Sequence, residues 1–512
     1  MAIIVYIIRK EAYMKSNEIG KVILNPREAQ KSWAELSYRE RSKHLKKAKI
    51  WLVAHADEIV EIIHADNGKL PIDALAAEVL PAVMAIDYYQ KKGKRFLASQ
   101  SLGGGNLLMF NKKSRLVYKP YGVVGIITPW NYPFSIPFSE IVMALLAGNA
   151  VLLKTASNTP NVGRILEKLF TAAELPQGLF TYVEMPGQEA GPAFIGTPDN
   201  PEEGVDKLFF TGSTAIGREL MALAAPRLLP LVLELGGADA AIIRKDADLN
   251  RAAAGMIWAA FSNAGQSCGG VQRIVVDKAV YANFLEKFCA LVRGLRQDID
   301  LGPMINQKQK QAVHKQIETC LAQGAVVAAK SEGALFQDEE ALTVPAVVLT
   351  GVRDGMPIMT EEIFGPVAAV IPADDDEDAL RIANSSPYGL TSSVWSKSRR
   401  KARALGERIN AGAIMINDHL MSHGLAETPW GGFGDSGLGK THGEPGFKEM
   451  VKAKVVVDDT LPGVKRNIFW HPYSEKVYKG LRSLVNFLAG SPGKRCASIP
   501  KVLGIFFRYW KK

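Results

Sequence analysis

The chain has 512 residues, several times the length of a single hydrophobic core, so two or three structural units are expected. Its 47% hydrophobic and 22% charged residues exclude a disordered or collagen-like protein. The net charge is +10, but eleven of the 62 Lys and Arg residues and one of the 52 acids lie after residue 460, so the body is neutral and nucleic acid is disfavoured as a partner.

The first residues, MAIIVYIIRK, lack the basic start and the small-residue cleavage site of a signal peptide, and they are too short to span a bilayer. We interpret them as a first β-strand, or as extra residues ahead of a start at Met14. The four cysteines form no CxxC pair, which argues against a disulfide framework and favours a reducing compartment. A cytoplasmic protein is therefore expected.

Hydrophobic periodicity predicts helical structure at 30–65, followed by two series of alternating strands and helices. The first series has strands at 123–128, 150–155 and 207–212 and helices at 137–147 and 162–173. The second series has strands at 240–244 and 273–277 and helices at 249–262 and 281–295. This order predicts βαβ units with parallel sheets, arranged as two consecutive α/β units.

Three residues have the chemistry and setting of an active site. Cys268 lies between small residues in FSNAGQSCGG, where backbone N–H groups can stabilise a thiolate, although a lone cysteine is more often a core residue. Glu234 lies in the apolar run LVLELGG, where a carboxylate is costly unless it is paired or catalytic. Asn131 lies in TPWNYPFSIP, whose prolines make its amide either a rigid donor or a turn cap.

These segments resemble the aldehyde dehydrogenase superfamily over nearly the whole of residues 25–455. The motifs PWN, K-x-A, GSTxxG, ELGG, FxxxGQxC, EEIFGP and WGGxxxSGxG all occur in the order of that family. The resemblance implies an α/β fold with two Rossmann-like domains, one for the cofactor and one for catalysis, and a β-arm for oligomerisation. The implied bounds are 25–102 and 121–235 for NAD(P) binding, 236–427 for catalysis, 103–120 and 440–460 for the arm, and 461–512 for a basic, aromatic C-terminal extension. The arm implies a homodimer or a homotetramer.

The resemblance makes Cys268 the nucleophile that attacks the aldehyde carbon. The side chain of Asn131 and the backbone N–H of Cys268 would hold the oxyanion that forms. After hydride transfer to NAD or NADP, Glu234 would activate the water that hydrolyses the Cys268 thioester to the carboxylic acid. Relatives that acylate coenzyme A usually lack this glutamate, so the hydrolytic type is implied, and no metal ion is expected.

The resemblance also assigns cofactor residues. Lys154 corresponds to the lysine that holds the adenosine ribose, and Glu362 to the acid that binds the nicotinamide ribose. The usual GxGxxG motif is absent, but a variant turn before a helix suits a pyrophosphate. The remaining implied contacts are Thr128, Pro129, Trp130, Gly212, Ser213, Gly217 and Phe364.

One position bears on the choice between the two cofactors. Members that use only NAD often carry Glu three residues after the lysine, and this chain has Ser157 there. A carboxylate accepts the ribose 2′-OH and repels a 2′-phosphate, whereas serine does neither strongly. Both NAD and NADP are therefore expected to serve.

Two segments, INDHLMSHG (416–424) and SGLGKTHG (436–443), resemble the fatty and aliphatic branch of the family. A medium-chain or long-chain aliphatic aldehyde is the expected substrate. Two alternatives stay open: a dehydrogenase of succinate semialdehyde or another small semialdehyde, and a membrane-bound scaffold that keeps the fold without turnover.

The C-terminal extension lies outside the resemblance and mixes aromatic rings with basic residues. KVYKGLRSLVNFLAG (476–490) carries apolar residues at helical spacing, and SPGKR (491–495) is interpreted as a linker before the second apolar piece, VLGIFFRYW (502–510). The apolar stripe either packs on the protein or a partner subunit, or binds an anionic membrane surface. The second alternative would place the protein peripherally on the inner face of a membrane.

Overall fold

The computed structural model describes residues 16–104, 109–336, 340–461 and 463–509. The strand expected at 1–10 therefore lies outside the described residues. The chain divides into two compact units, Met1–Ala98 with Lys119–Lys452 and Ser99–Tyr118 with Ala453–Lys512.

The helices of the described residues are α1 (Ser16–Glu35), α2 (Tyr38–Ala54), α3 (Ala56–Asn67), α4 (Pro71–Ala74), α5 (Leu80–Phe96), α6 (Ser135–Ala147), α7 (Pro160–Ala172), α8 (Gly187–Ile195), α9 (Thr214–Ala224), α10 (Leu249–Phe261), α11 (Tyr281–Arg293), α12 (Gln307–Ala322), α13 (Pro357–Thr360), α14 (Asp376–Ala383), α15 (Arg399–Gly406), α16 (Met421–Gly424), α17 (Gly443–Glu449), α18 (Glu475–Ala489) and α19 (Pro492–Phe506). The strands are β1 (Gln100–Gly104), β2 (Lys112–Pro120), β3 (Val123–Ile127), β4 (Ala150–Lys154), β5 (Phe180–Tyr182), β6 (Lys207–Thr211), β7 (Leu231–Glu234), β8 (Asp239–Ile243), β9 (Val271–Asp277), β10 (Val326–Lys330), β11 (Val347–Thr350), β12 (Val367–Ala373), β13 (Tyr388–Gly389), β14 (Thr391–Trp395), β15 (Ala413–Ile416), β16 (Phe433–Gly434), β17 (Gly437–Leu438) and β18 (Val451–Asp459).

The helical prediction for 30–65 is confirmed, but the segment forms three helices, α1 to α3, rather than one. The break between α1 and α2 has a local cause. Ser37 caps α2 by accepting from the Glu40 backbone N–H, and the Glu40 carboxylate accepts from the Ser37 N–H in return. This capping box starts a new helix in a new direction.

The first large sheet of the first unit has the order β17-β7-β6-β3-β4-β5. The strands from β7 to β5 are parallel, and β17 pairs with β7 in the antiparallel sense. Strands β3 and β4 are buried along their whole length, which explains their continuous runs of Val, Ile and Leu. The predicted strands and helices of the first series are therefore confirmed, with ends that differ by one or two residues.

The second large sheet has the order β10-β11-β12-β9-β8-β14-β15 and is parallel except at β10. Its faces are covered by two clusters of buried apolar side chains. The prediction of two consecutive α/β units with parallel sheets is thus confirmed. The domain bounds drawn from the resemblance stay a prediction.

The second unit contains the three-stranded sheet β1-β2-β18 and the helices α18 and α19. The two helices pack together around Ile468, Leu484, Val502 and Ile505. The linker interpretation of 491–495 is wrong, because Pro492 is the first residue of α19, where its missing N–H costs nothing. Among the described residues, no helix is long and apolar enough to cross a membrane.

Candidate active site

The residues assigned to the cofactor lie at one edge of the six-stranded sheet. Thr128 follows β3, Lys154 ends β4, and Gly212 and Ser213 follow β6. These parallel strands are neighbours in the sheet, so their carboxyl ends meet at the same edge. Ser213 caps α9 by accepting from the Ile216 N–H, which leaves the other N-terminal amides of α9 directed at this edge.

Two polar side chains at this edge, Thr128 and Lys154, lack partners among the described residues. The Thr128 hydroxyl is buried without a hydrogen bond, and within the described residues the Lys154 amine has neither a hydrogen bond nor an ion pair. Burial lowers the pKa of Lys154 to about 8. A ribose and a pyrophosphate would supply the missing acceptors, so the edge fits a dinucleotide. Ser157, in the turn before α7, is exposed.

Two further residues assigned to the cofactor, Glu362 and Phe364, lie between α13 and β12, next to the second large sheet. A Glu362 oxygen accepts from the Gly237 N–H at 3.1 Å, and burial raises the pKa of this carboxyl to about 8. Phe364 has a φ of +53° and meets the edge of the Trp130 ring at a centroid distance of 5.4 Å. The structure therefore brings EEIFGP beside the PWN segment, although more than 230 residues separate them.

Cys268 and Glu234 line the same cavity in the first unit. Glu234 is 4% exposed, and neither of its carboxylate oxygens has a hydrogen bond. Burial raises the pKa of Glu234 well above its usual value, the charge of Glu140 raises it further, and Lys440 opposes the shift. A carboxyl group of high pKa without partners is suited to accept a proton from water.

Cys268 is half-buried on the loop after α10. Burial raises the pKa of its thiol, and the nearby acids Glu362, Asp239 and Glu234 raise it further. The Gly269 backbone N–H lowers the pKa of this thiol but is outweighed, and stabilisation of a thiolate by backbone N–H groups stays a prediction. Burial and the nearby acids therefore favour the thiol over the thiolate.

The backbone before Cys268 is fixed by a network of hydrogen bonds. Asn263 and Ala264 have φ values of +53° and +52°, which are strained for residues with side chains. The Gln266 amide donates to the carbonyls of Asn263 and Pro303, and its oxygen accepts from the Ile305 N–H. These bonds hold the strained turn and thereby position the loop that carries Cys268.

Asn131 lies against this loop. Its amide donates to the Gln266 carbonyl at 3.2 Å, which leaves one N–H for an oxyanion, although Asn131 is not among the cavity-lining residues. The Asn131 carbonyl accepts from Lys69 at 2.6 Å, and Lys69 pairs with Glu78. Glu78 in turn accepts from the Phe134 N–H at 2.7 Å. The buried Lys69 and Glu78 pair therefore anchors the segment that carries Asn131, and nothing in the sequence pattern indicated this.

Three further polar residues line the cavity, and one of them, Glu140, was missed by the sequence analysis, whereas His423 and His442 lie in the two segments that resemble the aliphatic branch. Glu140, on α6, is 3% exposed and one of its oxygens has no partner. Burial raises its pKa to about 8. His442 is likewise buried with an unbonded Nδ1, and its ring lies 4.9 Å from that of His423. Burial lowers the pKa of both histidines, so both are neutral at pH 7.

His419 and His423 are four residues apart, a spacing that can hold a metal on a helix. His419 instead precedes the short helix α16, and its ring nitrogens contact the Ser393 hydroxyl at 2.9 Å and the Gly269 carbonyl at 3.1 Å. The carbonyl can only accept, so a neutral His419 donates to it and fixes the residue after Cys268. Among the described residues, no group of His, Cys, Asp or Glu side chains is arranged to hold a metal ion.

Two glycines are required by close approach. A Cβ at Gly237 would lie 2.2 Å from the carbonyl oxygen of Cys268. Gly431 has a φ of +144°, and a Cβ there would lie 2.9 Å from a Glu234 oxygen. The ELGG and WGG motifs thus leave room for the Cys268 loop and for the Glu234 carboxylate.

Comparison with known proteins agrees with this architecture. The profile of the Aldehyde dehydrogenase family matches residues 7–456. A 4,4′-diapolycopene aldehyde oxidase of Methylomonas sp is 35% identical over 482 residues, which are 92% of this chain and 87% of that protein. A protein of Mycolicibacterium smegmatis assigned as an NADP+-dependent succinate-semialdehyde dehydrogenase is 33% identical over 448 residues, 86% of this chain and 84% of that protein.

The solved structures give the same result. A betaine aldehyde dehydrogenase of Staphylococcus aureus in complex with NAD+ superposes with a TM-score of 0.82 at 26% identity, covering 90% of each chain. The fold, the parallel sheets and the cofactor class expected from the sequence are therefore confirmed. The chain belongs to the aldehyde dehydrogenase family and is an NAD(P)-dependent aldehyde dehydrogenase.

Proposed function

We propose that this enzyme oxidises a medium-chain or long-chain apolar aldehyde to the carboxylic acid. The observation that carries the proposal is the lining of the cavity that holds Cys268. Its outer wall consists of apolar side chains, several of them exposed at the mouth: Ala76, Ala77, Leu80, Pro81, Met84, Trp258, Met421 and Leu425. The substrate chain would leave water for this wall while its carbonyl reaches Cys268.

In the proposed chemistry, the Cys268 sulfur bonds to the aldehyde carbon, and the free N–H of Asn131 and the Cys268 N–H stabilise the oxyanion. When bound, the oxidised nicotinamide would accept the hydride and would add a positive charge that opposes the acids around the thiol. Thr128, Pro129, Trp130, Lys154, Gly212, Ser213, Gly217, Glu362 and Phe364 are the residues that we assign to hold the dinucleotide.

We assign hydrolysis of the Cys268 thioester to Glu234. Its carboxylate takes a proton from water, the hydroxide bonds to the thioester carbon, and the C–S bond breaks to return the thiolate. The two unbonded oxygens of Glu234 support this role, because both are free to accept from a water in the cavity.

A series of straight-chain aldehydes from butanal to hexadecanal tests the substrate class. Each methylene buried at the wall is worth about 0.8 kcal/mol, so kcat/KM should rise about fourfold per carbon until the wall ends. The change Met84→Asp should flatten this rise for the long aldehydes and spare butanal. A flat series for the unaltered enzyme would overturn the assignment.

Succinate semialdehyde is the second candidate, favoured by the similarity to the assigned succinate-semialdehyde dehydrogenase. The cavity argues against it. Among the described residues that line it are Asp73, Glu140 and Glu234, and these lining residues include no Arg or Lys to bind a second carboxylate. A kcat/KM for succinate semialdehyde above that for decanal would establish this alternative instead.

A homo-oligomer is proposed from the three-stranded sheet of the second unit. Val455 and Val457 lie on the outer strand β18 and are each more than half exposed. Exposed β-branched residues on a sheet edge favour pairing with another chain. Size-exclusion chromatography with light scattering checks this, and Val455→Lys with Val457→Lys should yield a smaller species if β18 forms the contact.

We also propose that the C-terminal extension contributes to binding of an anionic membrane. Leu484 is buried against α19, so part of the predicted stripe packs within the unit, but Val485 and Leu488 stay exposed. Leu503 and Phe507, near the end of the chain, are also exposed beside basic residues. Replacing Leu503 and Phe507 by Ser should lower sedimentation with anionic vesicles; unchanged sedimentation would reject this role.

A further inference from the structure

A groove between α2 and α5 carries an unusual concentration of positive charge. The two helices pack side by side in opposite directions: Gln90 donates to the Ser42 carbonyl at 2.8 Å, and Lys49 contacts Asp87 at 2.6 Å. The basic residues that line the groove are Arg39, Lys43, Lys46, Lys49, Lys91 and Lys94.

Most cations of this groove form no ion pair among the described residues, although Glu40, outside the groove, senses the charge of Lys43. Asp87 is the one acid among the lining residues, and both Lys49 and Lys91 already bond to it at 2.6 Å. In the part of the chain that the structure describes, the other four cations of the groove have no ion-pair partner. The body of the chain has equal numbers of acids and bases, so this excess is local.

The groove is apolar at one end. Ile50 and Val53, on α2, line it with 62% and 56% of their surface exposed. Because the helices are antiparallel, these residues lie toward the start of α5, where Leu80 and Met84 form the mouth of the active-site cavity.

A single stripe of α5 joins the two features. Positions 80, 84, 87, 91 and 94 are spaced by three or four residues and therefore share one face of the helix. The first two line the cavity mouth and the last three line the groove. The apolar mouth and the basic groove thus form one continuous surface, here named the α2–α5 face and defined by these positions together with 39, 43, 46, 49, 50 and 53.

We propose that the α2–α5 face binds an anionic lipid bilayer, with its cations on the headgroups and its apolar end against the acyl chains. Basic residues beside exposed aliphatic side chains are the combination that an interface of headgroups and hydrocarbon complements. The cavity mouth then opens onto the bilayer, and an apolar aldehyde passes to Cys268 without crossing water. This last step rests on the proposed function; binding of the bilayer does not.

The composition of the face favours a membrane over other polyanions. A groove that binds single-stranded nucleic acid places exposed aromatic rings among its cations for stacking on bases. Tyr38 is the aromatic residue among those lining this groove, and it is half-buried with its hydroxyl donating to the Tyr89 carbonyl at 2.6 Å. Ile50 and Val53 offer nothing to a base or a phosphate, but they match hydrocarbon.

The test is sedimentation of the full chain, without substrate, with vesicles of phosphatidylcholine alone or mixed with phosphatidylserine. The variant Lys43→Ala with Lys46→Ala removes two unpaired cations of the face. The matched control, Lys92→Ala with Arg95→Ala, removes two exposed cations of α5 that lie outside the groove. Each cation at a charged surface is worth about fivefold in partitioning, so the first variant should bind the mixed vesicles about 25-fold more weakly and the control far less so.

A third variant, Ile50→Ser with Val53→Ser, tests the apolar end at constant charge and should also lower binding to the mixed vesicles. Equal losses in the face variant and the control would overturn the proposal, as would equal binding to neutral vesicles. Binding to soluble poly-glutamate in place of vesicles would identify an acidic protein as the partner instead. A chain that binds through the face but shows no preference for long aldehydes would contradict the proposed function alone.

Discussion

Two pairs of buried ionisable side chains in the first unit differ in whether their polar atoms have hydrogen-bond partners. Lys69 and Glu78 have fully buried side chains, yet each is satisfied: Lys69 bonds to Glu78 and to the Asn131 carbonyl, and Glu78 also accepts from the Phe134 N–H. Glu234 and Glu140 are as deeply buried but have three oxygens between them without a partner. Ionisable groups with partners fix geometry, whereas buried carboxyls without partners keep a raised pKa and can exchange protons.

The largest effect on activity is expected from substitution of Glu234, one of the two acids without hydrogen-bond partners. In Glu234→Gln the base is lost while the shape is kept, so thioester hydrolysis should fall by about 10²- to 10⁴-fold. Reduced cofactor should still appear as a burst in stopped-flow absorbance, since acylation of Cys268 does not need water. Cys268→Ala serves as the control and should give no burst. Sustained turnover by the Glu234 variant would mean that another group activates water.

In the fully hydrogen-bonded pair, Lys69→Met leaves the Glu78 carboxylate buried without its cation. This should lower the free energy of unfolding by about 3–5 kcal/mol in urea titrations. Lys31→Met breaks the exposed pair with Glu28 and should cost less than about 1 kcal/mol. If the two variants lost equal stability, the buried pair would not be the anchor of the Asn131 segment.

A smaller effect, a shift of the pH profile of turnover, should show how Glu140 influences Glu234. The charge of Glu140 raises the pKa of Glu234, so Glu140→Gln should lower that pKa. Glu234 acts as a base only when ionised, and steady-state turnover rises with pH through its pKa. The rising limb of the pH profile should therefore move to lower pH, while the Glu140→Asp variant should restore much of the original profile. An unmoved limb would show that the two carboxyls do not sense each other.

The same variant has a consequence for stability. The folded pKa of Glu140, about 8, lies above its unfolded value, so the folded state binds more protons between about pH 4.5 and pH 8. Stability should fall as pH rises through this window in the unaltered protein. Thermal melts of Glu140→Gln should show a shallower fall, and an equally steep one would argue that Glu140 is ionised without cost.

The smallest effect is expected outside both pairs, at the cofactor edge. Ser157 is exposed, so a charge placed there is partly screened. Ser157→Glu should shift the ratio of kcat/KM values for NADP and NAD about tenfold toward NAD, because the carboxylate repels a 2′-phosphate. If the ratio of the two kcat/KM values did not change, a residue other than Ser157 would determine the choice between NAD and NADP.

The candidate residues that the sequence analysis singled out share one property: each is marked by the pattern of its immediate neighbours in the sequence. Lys154, Gly212 and Glu234 each lie at the end of an apolar strand, so pattern alone places them at a sheet edge. Glu140 lies in α6, which is buried on every side, so no polar face marked it as unusual. The bond from Lys69 to Asn131 joins residues 62 positions apart, and no spacing rule reaches that far. The misread segment at 491–495 shows the converse, since Pro begins helices as readily as it marks loops.

Because Gly237 lies close to the Cys268 carbonyl, substitutions in the ELGG and GQSC motifs should affect each other. A methyl group at position 237 can be accommodated only if the loop that carries Cys268 moves away. Gly237→Ala should therefore change the rate at which iodoacetamide alkylates Cys268. Changes in the two motifs should accordingly be non-additive in a double-mutant cycle. A substitution in ELGG that adds a side chain at position 237 therefore needs a compensating change in the GQSC loop.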